Sequence, residues 1–239
     1  MNIVICDNYE DMSKKACDLL VSCLQENPNG LISLPGGDTP LGLFREFTAA
    51  VNSGNVDISA ANYVSLDEWV GLGIDDEGSC GHFNKVNLLD KLEKPFANTY
   101  VINGAAEDTT NEKDKLNSFI DVHGPLCVSV LGIGLNGHLG FNEEGVCFDS
   151  EGHITALAET TRRVMRKYFG DNFNPEYGIT QGLGQIMKAN TIILLANGAH
   201  KAEILRKAIS GPVTNEVPAT VLQNHPNAYI FMDKAAAGE

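Results

Sequence analysis

The apolar run from Leu126 to Leu131 leads directly into Gly132-Ile133-Gly134-Leu135-Asn136-Gly137-His138-Leu139-Gly140-Phe141-Asn142-Glu143. A short apolar run of this kind reads as a buried strand. The glycines at its end keep the backbone bare, permitting tight turns and close approach to a ligand. Among them stand one imidazole, one carboxylate and two amides, and a histidine so placed can move protons near neutral pH. Buried strand, glycine turn, then acid–base side chains is how an α/β protein builds a site at the carboxyl end of its sheet.

The same alternation runs through the rest of the chain. Strands are expected at Asn2–Cys6, Leu31–Leu34, Tyr63–Leu66, Tyr100–Ile102, Leu126–Leu131, His153–Ala158, Thr191–Ala196 and Ala228–Met232. Between them, one helix is capped by Asp7 or Asn8 and ends before Pro28, and another carries Leu43, Phe44 and Phe47. Further helices are expected at about Ser79–Leu92, Asp108–Val122, Thr160–Phe169, Gln181–Lys188 (capped by Thr180) and His200–Ile209. Strands alternating with helices predict an α/β fold, an open, largely parallel, Rossmann-like sheet with helices on both faces. No linker or internal repeat divides the chain, so a single domain over residues 1–239 is expected.

A formal net charge of −14 repels nucleic acid and anionic membrane, so neither is expected as a partner. No apolar run approaches the roughly 20 residues needed to span a bilayer. Met1-Asn2-Ile3-Val4-Ile5 lacks the pattern of a signal peptide. Cys6, Cys17, Cys23, Cys80, Cys127 and Cys147 form no C-x-x-C pair and read as free thiols in a reducing compartment. The expectation is a cytoplasmic protein. Its acidic surface would also repel a phosphorylated metabolite unless cations gather locally.

Four places carry chemistry. In Leu34-Pro35-Gly36-Gly37-Asp38-Thr39-Pro40, a strand, a glycine pair, a hydroxyl and a helix start offer backbone N–H groups to a phosphate. A plain strand-to-helix turn uses the same residues. Ser65-Leu66-Asp67-Glu68-Trp69 sets two carboxylates at the end of an apolar strand, an expensive place for charge. One of them can serve as a general base; alternatively, Asp67 caps a helix and Glu68 is solvated. Gly132, Gly134 and Gly137 match G-x-G-x-x-G, but in mid-chain, with His138 where the helix should begin. They read better as admitting a substrate to His138, with Asn136, Asn142 and Glu143 beside it. Metal-ligand spacing such as H-E-x-x-H is absent, and no metal is expected. Finally, Arg162 with Arg166, and Arg163 with Lys167, share helix faces and point to a phosphate or to a solvated face. Lys201 begins a helix, where a cation gains nothing from the dipole, which points to an anion opposite.

Taken in order, these motifs resemble those of the glucosamine-6-phosphate deaminase/isomerase family over nearly the whole chain. The family patterns are Leu-Pro-x-Gly-x-Thr-Pro at 34–40, Asp-Glu-Tyr/Trp-Val-Gly-Leu at 67–72 and Gly-x-Gly-x-Asn/Asp-Gly-His-x-x-Phe-Asn-Glu at 132–143. The resemblance implies a small-molecule amino-sugar phosphate as substrate. His138 would assist opening of the pyranose ring, oriented by Asn136 and Glu143. Asp67 would take the C2 proton and return it at C1, and the amine would leave as ammonia, giving a ketose 6-phosphate. Gly36, Gly37, Thr39, Lys201 and Lys167 would hold the phosphate, with Arg166 competing for the place of Lys167. No cofactor is implied.

The chain departs from the family pattern at three places. Asp38 stands where members usually carry Gly, Ala or Ser, putting a carboxylate beside the phosphate unless it turns outward, for example to cap the helix at Thr39. Asn136 gives His138 a neutral neighbour where some members have Asp. Glu151 and His153 replace basic residues of the allosterically regulated members, which speaks against activation by an acetylated amino-sugar phosphate. Residues 67–69 and the 150s also resemble the galactosamine-6-phosphate branch, so the sugar epimer stays open, as does assembly into a homo-oligomer. Two other readings remain. A 6-phosphogluconolactonase resembles this family in fold and glycine–histidine turn, but its pattern continues toward Thr-Ala-Ser-Leu-Phe-Pro rather than Leu139-Gly140-Phe141-Asn142-Glu143. A sugar-phosphate sensor of the kind joined to DNA-binding segments would leave Asp67, His138 and Glu143 without a job.

Overall fold

The computed structural model describes residues 1–163 and 173–239. Seven strands form one sheet in which every neighbouring pair is parallel. They are β1 (Asn2–Cys6), β2 (Leu31–Leu34), β3 (Asn62–Ser65), β5 (Asn98–Tyr100), β6 (Leu126–Gly132), β9 (Thr191–Ala196) and β10 (Ala228–Asp233). Their order is β1-β10-β9-β6-β2-β3-β5. A second, antiparallel sheet has the order β4-β8-β7, formed by β4 (Asp67–Trp69), β7 (His153–Ala156) and β8 (Tyr177–Thr180).

The helices are α1 (Tyr9–Glu26), α2 (Leu41–Asn52), α3 (Cys80–Asn87), α4 (Thr109–His123), α5 (Leu183–Ile186), α6 (Ala202–Ser210) and α7 (Lys234–Ala237), and residues 159–163 are helical too. Two apolar layers enclose the large sheet. On one face Ile32, Leu34, Tyr63 and Val130 pack with Leu20 and Leu24 of α1 and Phe44 and Phe47 of α2. On the other, Leu31, Val64, Leu131 and Leu194 pack with Leu116 and Ile120 of α4 and Ile204 and Leu205 of α6. Strands covered on both faces have no solvent side to alternate with, which is why β2, β6 and β9 are mostly apolar. Each such side chain, fully buried, stabilises the fold by about 1.5–3 kcal/mol. Among the described residues, no helix is long and apolar enough to cross a membrane.

From β2 the chain builds outward through β3 and β5, then returns to the other side of β2 with β6, β9 and β10. The order therefore reverses between β2 and β6. In an open parallel sheet that reversal opens a crevice at the carboxyl ends of the strands, where ligands bind. Because the strands run parallel, the loops after β2, β3, β6 and β9 all leave this one edge.

Several expected elements are corrected. The strand expected at Tyr63–Leu66 ends at Ser65, and Asp67 opens a separate strand of the antiparallel sheet. Its partner β8 is unexpected in sequence, being short and holding Gly178, whose bare Cα admits the Phe141 ring. The helix expected over Gln181–Lys188 is confined to α5, because Thr180 belongs to β8 and Gln181 is buried as a bridge between strands. Asn8, not Asp7, caps α1 by accepting from Asp11 N. The strand near Tyr100 is Asn98–Tyr100, and α3 ends at Asn87 before a short 3-10 turn at Leu89–Lys91. A similar turn, Ala199–Lys201, precedes α6. Of the helix expected at Thr160–Phe169, residues 164–169 lie outside the described residues.

Candidate active site

Asp67 and Glu68 adjoin in sequence yet are used differently. Glu68 is fully buried. Its Oε1 accepts from Trp69 N at 2.9 Å and Cys80 N at 3.0 Å, and its Oε2 from Gly81 N at 2.7 Å. It thus takes up amides at the start of α3, which have no partner within the helix. Burial pushes its carboxyl up to about 8, against the pull of those three donors. The alternative with Asp67 as cap and Glu68 in solvent is therefore reversed. Asp67, 8% exposed, has no such amide cradle among the described residues. Burial pushes its carboxyl up to about 6, opposed by the nearby His138 and by a hydrogen bond with Cys80. Near neutral pH such a group is largely ionised yet basic enough to take a proton.

The loop after β6 folds back on itself to make the second half of the site. Gly134 N donates to His138 O at 3.1 Å, and Gly137, at φ +84°, turns the chain toward the histidine. A Cβ on Gly134 would overlap Cδ2 and Nε2 of His138, so glycine is required where the ring lies over the strand end. His138 Nδ1 lies 3.2 Å from Glu143 Oε2. Asn136 Nδ2 donates to the same oxygen at 2.8 Å, and Asn136 Oδ1 accepts from His138 N at 3.3 Å. Burial pushes Glu143 up, but hydrogen bonds and charge from His138, with bonds from Thr161 and Asn136, hold it below the ordinary value. Glu143 is therefore a carboxylate at neutral pH. Gly140, at φ +57°, brings this loop against Asp67, since a Cβ there would stand 3.5 Å from Asp67 Oδ2 and 2.7 Å from Thr180 Oγ1. The structure thus brings Asp67, Asn136, His138 and Glu143 together.

Asn142 is turned inward, donating from Nδ2 to Leu139 O and Gln181 O, both at 2.8 Å. Gln181 is also fully buried. Its Nε2 donates to Ser33 Oγ on β2 at 2.8 Å and to Ser65 O on β3 at 2.9 Å, while its own N donates to Leu66 O. One side chain therefore ties the end that launches the glycine pair to the end that launches Asp67. A small apolar cluster of Trp69, Leu72, Phe141 and Leu157 joins the same pieces, with the Trp69 and Phe141 rings 4.5 Å apart.

The expected phosphate-holding residues are more open. Gly36 and Gly37 follow β2, and Gly37, at φ +95°, has nothing near where a Cβ would stand. Tyr9 Oη donates toward Thr39 O at 3.0 Å and accepts from Gly42 N at 2.7 Å, pinning this turn. α2 begins after Pro40, whose own side chain makes no capping bond. Asp38 is exposed. Lys201, on the loop after β9, donates from Nζ to Ile133 O at 2.6 Å, and burial lowers its pKa. Lys167 and its competitor Arg166 lie outside the described residues. Among the described residues, no group of three or more His, Cys, Asp or Glu is placed to hold a metal ion.

Sequence reasoning missed four contributors: Tyr9, Cys80, Thr161 and Gln181. Thr161 follows another threonine at a helix start, a pattern usual in capping. Tyr9, Cys80 and Gln181 carry no local signal, because each acts on residues more than ten positions away.

Residues 7–231 match the model of the family described as glucosamine-6-phosphate isomerases/6-phosphogluconolactonase. A glucosamine-6-phosphate deaminase of Enterococcus faecalis is 40% identical over 240 residues, covering 100% of both chains. One of Thermoanaerobacter pseudethanolicus is 38% identical over 238 residues, 99% of this chain and 94% of the relative. A solved monomeric glucosamine-6-phosphate deaminase superposes with a TM-score of 0.95 at 30% identity, covering 100% of this chain and 99% of that one. A 6-phosphogluconolactonase of Trypanosoma brucei, at 17% identity and TM-score 0.76 over 99% of this chain and 97% of its own, shares the fold. With the three motifs in order, a site built from them and a match spanning residues 7–231, the chain belongs to the family of glucosamine-6-phosphate isomerases and 6-phosphogluconolactonases.

Proposed function

We propose that this protein is a cytoplasmic enzyme that converts glucosamine 6-phosphate to a ketose 6-phosphate and ammonia. The observation that carries the reading is the pairing of a buried, proton-accepting Asp67 with the His138–Glu143–Asn136 network across one crevice. Full-length relatives named glucosamine-6-phosphate deaminases support the same substrate.

In this reading His138 shuttles a proton between the C1 hydroxyl and the ring oxygen, opening the pyranose to the aldehyde. Asp67 then removes the C2 proton, the C–H electrons form a C1–C2 double bond, and the carbonyl oxygen takes up a proton. Return of the proton from Asp67 to C1 leaves an iminium at C2. Water adds there and ammonia departs, so the net reaction hydrolyses a C–N bond. Gly36, Gly37 and Thr39 offer N–H and hydroxyl donors to the phosphate, and Lys201 and Lys167 supply the charge.

The test is ammonium release from glucosamine 6-phosphate and galactosamine 6-phosphate, side by side, with the ketose identified. Release from the gluco substrate alone supports the proposal. Release from the galacto substrate alone replaces the epimer, and release from neither removes the deaminase function.

A further inference from the structure

We infer that Thr161 is a positioning residue that fixes which nitrogen of His138 carries the proton. The inference rests on the role of His138 proposed above.

Thr161 is buried at 5% exposure, in the first turn of helical residues 159–163. Its Oγ1 lies 2.6 Å from Glu143 Oε1 and 3.1 Å from His138 Nδ1. A hydroxyl has one proton to give. Glu143 is held ionised by its neighbours and can only accept, so the proton of Thr161 goes to Glu143. What Thr161 turns toward His138 is then a lone pair, and an imidazole nitrogen 3.1 Å from it must carry hydrogen. The carboxylate oxygen 3.2 Å from the same nitrogen makes the same demand. Neutral His138 is therefore the Nδ1–H tautomer, with its lone pair on Nε2. That nitrogen lies over Gly134, where only a glycine leaves room.

Asn136 and Ala158 N also bind Glu143, at 2.8 Å and 3.3 Å, but neither touches the imidazole ring. Thr161 alone among these contacts bridges carboxylate and ring. It occupies the oxygen of Glu143 that does not face Nδ1, stopping the carboxylate from rotating away. Removing the hydroxyl leaves Nδ1 only the Glu143 contact, made by a carboxylate that Thr161 no longer holds, and the less restrained ring can then turn the wrong nitrogen to the substrate.

The test uses the full chain carrying Thr161→Val, nearly the same shape without the hydroxyl, and Thr161→Ser, which restores it. A hydrogen bond to a charged group is worth roughly 10- to 100-fold in rate. The expected result is that Thr161→Val loses that much in kcat for ammonium release with KM little changed, and Thr161→Ser recovers most of it. Nitrogen NMR of His138 should show one neutral tautomer in the wild type and in Thr161→Ser, and a mixture in Thr161→Val. A wild-type kcat in Thr161→Val, a Ser variant as slow as the Val variant, or an unchanged tautomer would each overturn the inference. The NMR experiment needs no turnover. A protein that releases no ammonium from either sugar but shows the tautomer shift would fail the functional reading and still uphold the role of Thr161.

Discussion

Asp67, His138 and Glu143 are surrounded by side chains that hold and desolvate them, whereas Gly36, Gly37 and Thr39 present bare backbone and a hydroxyl. The proposed reacting side has buried carboxyls pushed in opposite directions, one up by burial and one down by its donors. Its contacts come from β4, the loop after β6 and residues 159–163. The proposed phosphate side has a turn pinned by Tyr9 and a lysine whose ammonium rests on a carbonyl. The difference follows from what each must do. Proton transfer needs a matched pKa and a fixed donor, so its groups must be tuned by neighbours. A dianion needs many donors and little tuning, and backbone amides at strand ends supply them without bringing negative charge.

Substitutions on the two sides should therefore fail in different ways. Asp67→Asn removes the base while keeping shape, and kcat should fall by about 10³-fold with substrate still bound. A variant within tenfold of the wild type would end the assignment of Asp67. Lys201→Ala should leave kcat nearly intact and raise KM by roughly 10-fold or more, as expected for a lost charge-assisted bond. An unchanged KM would take Lys201 out of the phosphate side and blur the contrast. The pH profile sharpens it further. With the Asp67 carboxyl near 6, kcat/KM should drop about tenfold per unit below that pH, because only the ionised form accepts a proton. An acid limb that stays near pH 4 would show that burial does not tune this carboxyl.

The smallest effect concerns stability. A carboxyl whose pKa is raised by folding stabilises the protein fully below its unfolded value and loses that contribution as pH rises through the folded value. For Asp67 the window runs from about 4 to about 6. Asp67→Asn carries no such penalty, so its melting temperature should gain on the wild type across that window, by about 2–4 °C for each kcal/mol. Parallel melting curves at pH 4 and pH 7 would count against the burial argument.

Much of this site was legible in the chain because it follows strand ends. Leu126–Leu131 and Leu31–Leu34 are short apolar runs that read as buried strands, and the residues just beyond them land at one edge of a parallel sheet. The glycine–histidine loop, Asp67 and Gly36–Thr39 follow from that geometry. The antiparallel sheet did not show itself, since β4 and β8 are three and four residues long and pair across more than a hundred positions. Glu68 was misjudged because a carboxylate beside another looks solvated until the amides of a distant helix start are seen to meet it. Gln181 has a helix-compatible neighbourhood, and only the tertiary structure reveals that it binds strand ends 116 and 148 positions away.

The pairing of the first strand with the last has a bearing on how the molecule is made. β1 is an edge strand whose only ladder partner among the described residues is β10, and the bond from Asn2 Nδ2 to Ala228 O spans 226 positions. During synthesis the first strand leaves the ribosome long before that partner exists. Such a distant pairing closes late, because the entropy of a very large loop must be overcome before any contact repays it. Until then Ile3, Val4 and Ile5 are a short apolar segment without a ladder, the kind of nascent edge that a chaperone would shield. Deleting residues 228–233 would strip two ladders at once, leaving β9 as an open edge and β1 with no ladder among the described residues.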